Sequence, residues 1–391
     1  MHKGMDISFF FDALNPELFD PRFRPNPHAL GNLTQKFVTA FPDWTQADLV
    51  LFGIREDRGS ADDRGCARAA DQIRDRLYQL SAPRALKICD LGNLVQKAEP
   101  EEVQDALQFV AHAILKRGKT LMVIGGTQDL SYGLYRGFEQ AELQVDLVAI
   151  DARLDIWDSE VALTNESVNH AILTHEPNYL HHFSVIGAQN HLVSETERNA
   201  MQQLNYDILR IGELKADLRL AEPLLRTAHM VSYDLSAIRL ADAPAASNSQ
   251  PAGLSAEEAC QLARYAGMGY HTHLLHLCEV NPVHDHRLQT STLAALLAWY
   301  FIEGYYNRIE DRPVPDRSNL RRYRVPLDDW SVPEILFYKH EASERWWMEV
   351  LVEQPGTTHR RPSLVPCAEA DYSQALAGEI PDRWWKAQYR G

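Results

Sequence analysis

The 391-residue sequence contains no apolar run of roughly eighteen residues, so no segment of it reads as membrane-spanning. Its five cysteines (Cys66, Cys89, Cys260, Cys278, Cys367) are odd in number, widely spaced and free of any CxxC pattern. That excludes a disulfide framework and a cysteine-based zinc site, and the five read as reduced, mostly buried thiols. A basic surface is also missing. The formal net charge is −15, which disfavours nucleic acid and anionic membrane as partners, and the local run Arg317 to Arg324 does not outweigh it. The N-terminus has one Lys, then an apolar patch broken by Asp6 and Asp12, and no small-residue cleavage site. No signal peptide is read there, and the expected location is the cytoplasm. There is no GxGxxG or P-loop either, so the Gly125-Gly126 pair reads as a tight turn rather than a phosphate cradle.

What is present is ordinary globular composition, 45% apolar and 24% charged, at a length that can bury a large core. Residues 1–46 carry several prolines and no sustained period, and are expected to wrap the surface as an N-terminal extension. From Ala47 an alternation sets in. Strands are predicted over 47–54, 85–92, 120–126, 145–151, 181–187, 206–211, 228–234 and 273–280, with helices between them and a last long helix over 289–308. Ser255 with Glu258 forms a capping box that fixes one helix start. Alternating strands and helices of this kind predict a doubly wound, largely parallel sheet in three layers, spanning 47–312. Residues 313–391 form a Pro-rich, charged, aromatic extension with five of the eight tryptophans, including SERWWMEV and PDRWWKAQ. These Trp pairs are expected to anchor a short appendage on the core, an aromatic surface for a partner being the other reading.

The chain is organised around Val145 to Asp155, VDLVAIDARLD. A continuous apolar block fits a central parallel strand, and ligands of such sheets collect at the strands' carboxyl ends, where Asp151 and Asp155 lie. Three other stretches are predicted to end at the same edge: Gly125-Gly126-Thr127-Gln128-Asp129, Ser232-Tyr233-Asp234-Leu235-Ser236 and Glu279-Val280-Asn281-Pro282.

Together with GIREDRGS (53–60), DLGN (90–93), IGAQ (186–189) and PAGLSAEE (251–258), these stretches resemble the ureohydrolase family of arginase, agmatinase and formimidoylglutamase, over roughly residues 47–310. The formimidoylglutamase-like branch is the most similar. The resemblance implies an arginase-like α/β/α fold around a mostly parallel eight-stranded sheet, and a homo-oligomer is compatible with it, since family members are commonly trimers or hexamers. It further implies two manganese ions, a bridging hydroxide and hydrolysis of a guanidinium or formimino carbon. Carried over position by position, Asp151, Asp155 and Asp234 match carboxylate ligands, and Glu279 matches the carboxylate facing the substrate's cation. Gln128 and Arg153 stand where histidine ligands are expected, and Ser236 stands where a fourth carboxylate is expected. His170 is the nearest counterpart of a proton-shuttling histidine. Asp129 and Asp242 are the acids near the altered positions that could stand in for a lost ligand.

A guanidinium has no lone pair and keeps its proton, so Arg153 cannot be a ligand. It is expected to make charge-assisted bonds to Asp151, Asp155 and Asp234 in a metal-free network. No cofactor is therefore expected. The predicted function is an arginase-fold protein with a degenerate di-manganese site, a pseudoenzyme that binds a small molecule or serves as a scaffold subunit for a protein partner, its cleft formed by Gln128, Asp129, Arg153, Asp155, Asp234, Ser236 and Glu279. The alternative is a formimidoylglutamase-like hydrolase of linear amidine or guanidine C–N bonds, with Glu279 and Asp151 catalytic. It would use Mn²⁺, as a single ion on Asp151, Asp155 and Asp234. Cys278 reads as a core thiol, because a strand that points Glu279 into the cleft points Cys278 away. His271, His273 and His276, like the pairs His181-His182 and His284-His286, are expected at the surface, solvated or hydrogen-bonded.

Overall fold

The computed structural model describes residues 6–19, 26–60, 64–83, 87–157, 162–314, 316–329, 331–353 and 360–388. Eight parallel strands carry the centre: β1 (Leu49–Gly53), β2 (Ile88–Leu94), β3 (Thr120–Ile124), β4 (Val145–Ile150), β5 (Leu180–Ala188), β6 (Asp207–Arg210), β7 (Met230–Asp234) and β8 (Leu274–Cys278). Their order in the sheet is β2-β1-β3-β8-β7-β4-β5-β6. The central ones are apolar on both faces because helices cover both. Leu49 and Leu51 enter one core with the helices Ala69–Leu77, Ala256–Met268 and Gln289–Tyr306; Val50 and Phe52 enter the other with Pro100–Leu115 and Leu130–Gln140. That alternation is the period of two that a strand imposes, and it yields three layers. Among the described residues, no helix is long and apolar enough to cross a membrane.

The N-terminal segment does more than wrap the surface. Phe11–Asp12 pairs antiparallel with Leu94 and Asn93 of β2, and Gln35–Lys36 pairs parallel with Cys89 and Asp90, so the sheet has ten strands rather than eight. Ile7, Phe11 and Leu14 are buried. Residues 1–5 and 20–25 of that extension lie outside the described residues.

The C-terminal segment also departs from a loose appendage. It forms a four-stranded antiparallel sheet, β9 (Arg321–Pro326), β10 (Glu334–Lys339), β11 (Trp346–Glu353) and β12 (Arg360–Cys367), followed by two short helices, Glu369–Leu376 and Asp382–Gln388. Val325, Phe337, Trp346, Met348 and Trp384 close a core of its own. Trp346 stacks on Tyr372 with ring centroids 4.7 Å apart. Trp347 lies under the Arg226 guanidinium at 4.7 Å, and Arg226 Nη1 donates to the Trp346 carbonyl at 3.1 Å. Arg345 bridges the segments, pairing with Asp311 at 3.2 Å and Glu222 at 2.9 Å. Trp330 lies outside the described residues.

The sheet order decides where chemistry can occur. β3, β8, β7 and β4 are consecutive neighbours and parallel, with Ile124 beside Leu277, Cys278 beside Asp234 and Tyr233 beside Ile150. Their carboxyl ends therefore deliver the four predicted stretches to one place, at the crevice open α/β sheets use for ligands.

Candidate functional site

The turn after β3 holds Gly125 and Gly126 at φ 85° and 75°, a region that favours glycine. A Cβ on Gly125 would stand 2.9 Å from the Ala70 amide nitrogen, so the turn also needs the bare backbone. It presents Gln128, whose amide N–H donates to Glu279 Oε1 at 2.7 Å and whose Nε2 donates to Asp151 Oδ2 at 2.8 Å. The Gln128 Oε1 is buried and, among the described residues, without a hydrogen-bond partner. One side chain thus ties two strand ends together and leaves an acceptor over.

Asp151, Asp155 and Asp234 are buried, and one oxygen of each lies within 4.8 Å of the others. Ser236 belongs to the same pocket: its N–H caps Asp234 Oδ1, and its hydroxyl donates to Asp151 Oδ1 at 3.4 Å. Burial is the first cause that raises all three carboxyls above their usual range. The Asp151 charge adds to it at Asp155 and Asp234, which lie well above that range. Three acids that repel one another in a dry pocket form a donor set that a divalent cation would relieve.

Glu279 sits against this triad with φ 63°, and Asp155 has φ 49°, so two of the site's acids hold left-handed backbone. Burial raises the Glu279 carboxyl to about 7. Asn165 Nδ2 donates to its Oε1 at 3.3 Å, and Cys66 Sγ lies 3.9 Å from its Oε2 and 3.5 Å from Ser247 Oγ. Asn165, Ser247 and Cys66 were missed by sequence reasoning; they come from three distant loops, and only the fold brings them together.

Arg153 corrects the prediction most sharply. Its backbone N–H donates to Asp151 Oδ1 at 2.8 Å, but among the described residues its guanidinium pairs with none of the three aspartates. It lines the narrow inner pocket, about 10 Å³, together with the triad and Glu279, and also an adjoining vestibule of about 390 Å³. The guanidinium charge lowers Asp151 and Asp155 without outweighing their burial, and the guanidinium makes no direct bond to either among the described residues.

Asp129 and Asp242 are not stand-in ligands. Asp129 turns to Gln104, whose Nε2 donates to its backbone oxygen at 3.2 Å and its Oδ2 at 3.4 Å, and it packs on Gly59, where a Cβ would fall 2.2 Å from its carboxyl carbon. Burial raises it to about 7. Asp242 pairs with Arg239 at 2.9 Å and caps the Ala256 N–H. His170 meets Asp155 through its backbone N–H at 3.2 Å. His276, expected near the surface, is fully buried, its Nδ1 2.8 Å from Ser131 Oγ and its Nε2 3.2 Å from the Gly125 carbonyl. Burial lowers it to about 4. His181 is half-exposed and pairs with Asp146 at 2.7 Å. Cys278 is a buried core thiol donating to the Tyr233 carbonyl at 3.5 Å.

The arginase family model matches residues 47–303, well over half of the chain. The chain belongs to the arginase family. Within it, the chain is similar to the formimidoylglutamase of Geobacillus kaustophilus, 27% identical over 255 residues, which is 62% of this chain and 78% of that protein. Among solved structures it superposes on Bacillus subtilis formimidoylglutamase with a TM-score of 0.65 at 18% identity, over 72% of this chain and 92% of that one. Trypanosoma cruzi formiminoglutamase with two Mn²⁺ gives 0.63 at 20% identity, over 67% and 95%. This arginase-family chain was expected to need no cofactor. The manganese-bound state of that fold relative overturns the expectation, and three buried carboxylates that no guanidinium bonds among the described residues are a donor set suited to such an ion. The comparisons likewise favour the hydrolase alternative over a binding or scaffold subunit.

Proposed function

We propose that the chain is a hydrolase cleaving a C–N bond of a linear formimino or guanidino substrate, with one manganese ion held by Asp151, Asp155 and Asp234. The supporting observation is the convergence of three buried carboxylates beside the unpartnered Gln128 Oε1. The donors are all hard oxygens, suited to Mn²⁺ or Mg²⁺. The three negative charges of the triad are matched by a divalent ion together with the nearby guanidinium of Arg153. When bound, such an ion supplies Lewis acidity and a nucleophile at neutral pH.

The rest of the chemistry belongs to the chain. Glu279, fixed by the Gln128 N–H and Asn165, faces the pocket and receives the substrate's cationic group. Raised to about 7 by burial, it can accept and return a proton near neutral pH. The tight pocket keeps bulk water from the reacting carbon, which strengthens each of these interactions. Water adds to the amidine carbon and the amine leaves with a proton, giving formamide from a formimino group or urea from a guanidino group.

The test is metal analysis of the purified chain combined with assays of formamide and urea release, with and without added Mn²⁺. Manganese uptake with Mn²⁺-dependent release supports the reading. No uptake and no release across formimino and guanidino substrates would reject it.

A further inference from the structure

The edge strand β6 and the helix Asp382–Gln388 enclose a pocket of about 510 Å³ that is separate from the cleft, sharing only Val193 with the vestibule. Its lining includes a buried apolar floor of Ala188, which ends β5, Val193, and Met201 on the helix Glu195–Gln203. Its far wall, the helix Asp382–Gln388, is fastened to the core. Lys386 Nζ donates to Asp207 Oδ1 of β6 at 2.8 Å, and the other oxygen of that carboxylate lies 3.0 Å from His182 Nε2 of β5. Trp384 is buried, and its indole N–H donates to the Glu349 carbonyl at 3.2 Å. Trp385 packs edge-on against it with ring centroids 5.0 Å apart, yet is 38% exposed and lines the pocket. The charges around this space do not all cancel. Arg210 is matched by Glu213 at 2.8 Å and Lys386 by Asp207. The two that remain are of opposite sign: among the described residues, Arg198 gives one N–H to the Val193 carbonyl at 2.9 Å and meets no carboxylate, and Asp382 has neither a hydrogen bond nor an ion pair. One open cation, one open carboxylate, an indole and an apolar floor together complement a zwitterion that carries an apolar side chain.

We infer that this pocket binds a free α-amino acid with an aromatic or large apolar side chain, its carboxylate on Arg198, its ammonium on Asp382 and its side chain against Trp385. A planar guanidinium offers two parallel N–H donors to a carboxylate, and a carboxylate accepts from the three donors of an ammonium. The indole adds flat apolar area at little cost in conformational freedom, because its ring already packs on the buried Trp384. Such a ligand bridges the core and the C-terminal helix, and so adds to the Lys386–Asp207 pair in holding them together. The inference stands apart from the hydrolase reading, since none of these charged or aromatic residues lines the cleft.

Calorimetric titration of the full chain with L-phenylalanine, 2-phenylethylamine and 3-phenylpropionate is the test. The three share the ring and the spacer; the amine lacks the carboxylate and the acid lacks the ammonium. Wild type is expected to bind phenylalanine roughly tenfold or more tightly than either, the range of a charge-assisted hydrogen-bond pair. Arg198→Gln is expected to erase the preference over the amine, and Asp382→Asn the preference over the acid. Each variant should keep the preference that the other loses, which guards against a variant that merely misfolds, and Trp385→Ala should weaken all three probes. No binding of phenylalanine by wild type, equal binding of the three probes, or either preference surviving the variant meant to erase it would overturn the inference. Product release plays no part in these titrations, so their failure leaves the hydrolase reading intact, and the failure of that reading leaves them unaffected.

Discussion

Arg153 meets Asp151 through its backbone and not its side chain, the amide N–H lying 2.8 Å from Asp151 Oδ1. Among the described residues the guanidinium makes no hydrogen bond or ion pair with the aspartates, although it lines the same pocket. The triad is left with three acids that no cation bonds among the described residues, and the consequences can be measured.

Manganese should stabilise the protein through the triad. At a free ion concentration about 100 times the dissociation constant, linkage gives about 2.7 kcal/mol, which for a chain of 391 residues raises the melting temperature by roughly 3 °C. Calorimetric scans with Mn²⁺ should show that rise in wild type, and chelation should reverse it. Asp151→Asn and Asp234→Asn should lose it, each removing one of the buried carboxylates.

Glu279→Gln separates metal binding from catalysis. The amide keeps the shape and an acceptor for the Gln128 N–H but cannot carry charge or a proton. The variant should keep its Mn²⁺-induced rise in melting temperature while product release falls by about 10²-fold or more, measured as kcat/KM.

Asp129 makes stability depend on pH. Its carboxyl is raised to about 7 from an ordinary 3.8, burial being the largest cause. The folded state therefore holds a proton that the unfolded chain releases first. Stability is unaffected below pH 3.8, falls as pH rises from there to about 7, and stays reduced above, by up to about 4 kcal/mol. Asp129→Asn should match wild type in urea midpoint at pH 4 and exceed it at pH 8. A gap that does not widen with pH would refute this account.

Arg345 holds the C-terminal sheet on the core. It is nearly buried, and its partner Asp311 is completely so. Arg345→Met leaves the buried Asp311 without its cation, while Glu222 keeps Arg226 at 2.6 Å, and losing one member of a buried pair costs about 3–5 kcal/mol. The urea midpoint should drop accordingly, and proteolysis near residues 313–320 should quicken.

The strands of the parallel sheet were legible because burial on both faces writes an uninterrupted apolar run, as in Val145–Ile150. The triad was legible because strand ends are fixed once the strands are. The C-terminal sheet was not: β9 reads RRYRVP, with its residues mostly turned to solvent, and no apolar run betrays it. Nor was the lack of a bond from the Arg153 side chain to the triad among the described residues, since the path of a long side chain in a loop depends on what surrounds it rather than on its neighbours in sequence. Cys66 reads as a buried thiol, and only the fold, with Asp57 Oδ2 accepting from the Gly65 N–H at 2.7 Å, brings it to Glu279.

Asp155 and Glu279, both in left-handed backbone and both raised in pKa by burial, carry two kinds of unfavourable energy at the same positions. A residue that relaxed the backbone and removed the charge, such as asparagine at 155, would suit the fold better and the chemistry worse. Screens for thermal resistance and screens for turnover should consequently diverge at these two sites, and a lineage evolved for heat tolerance alone would be expected to lose them early.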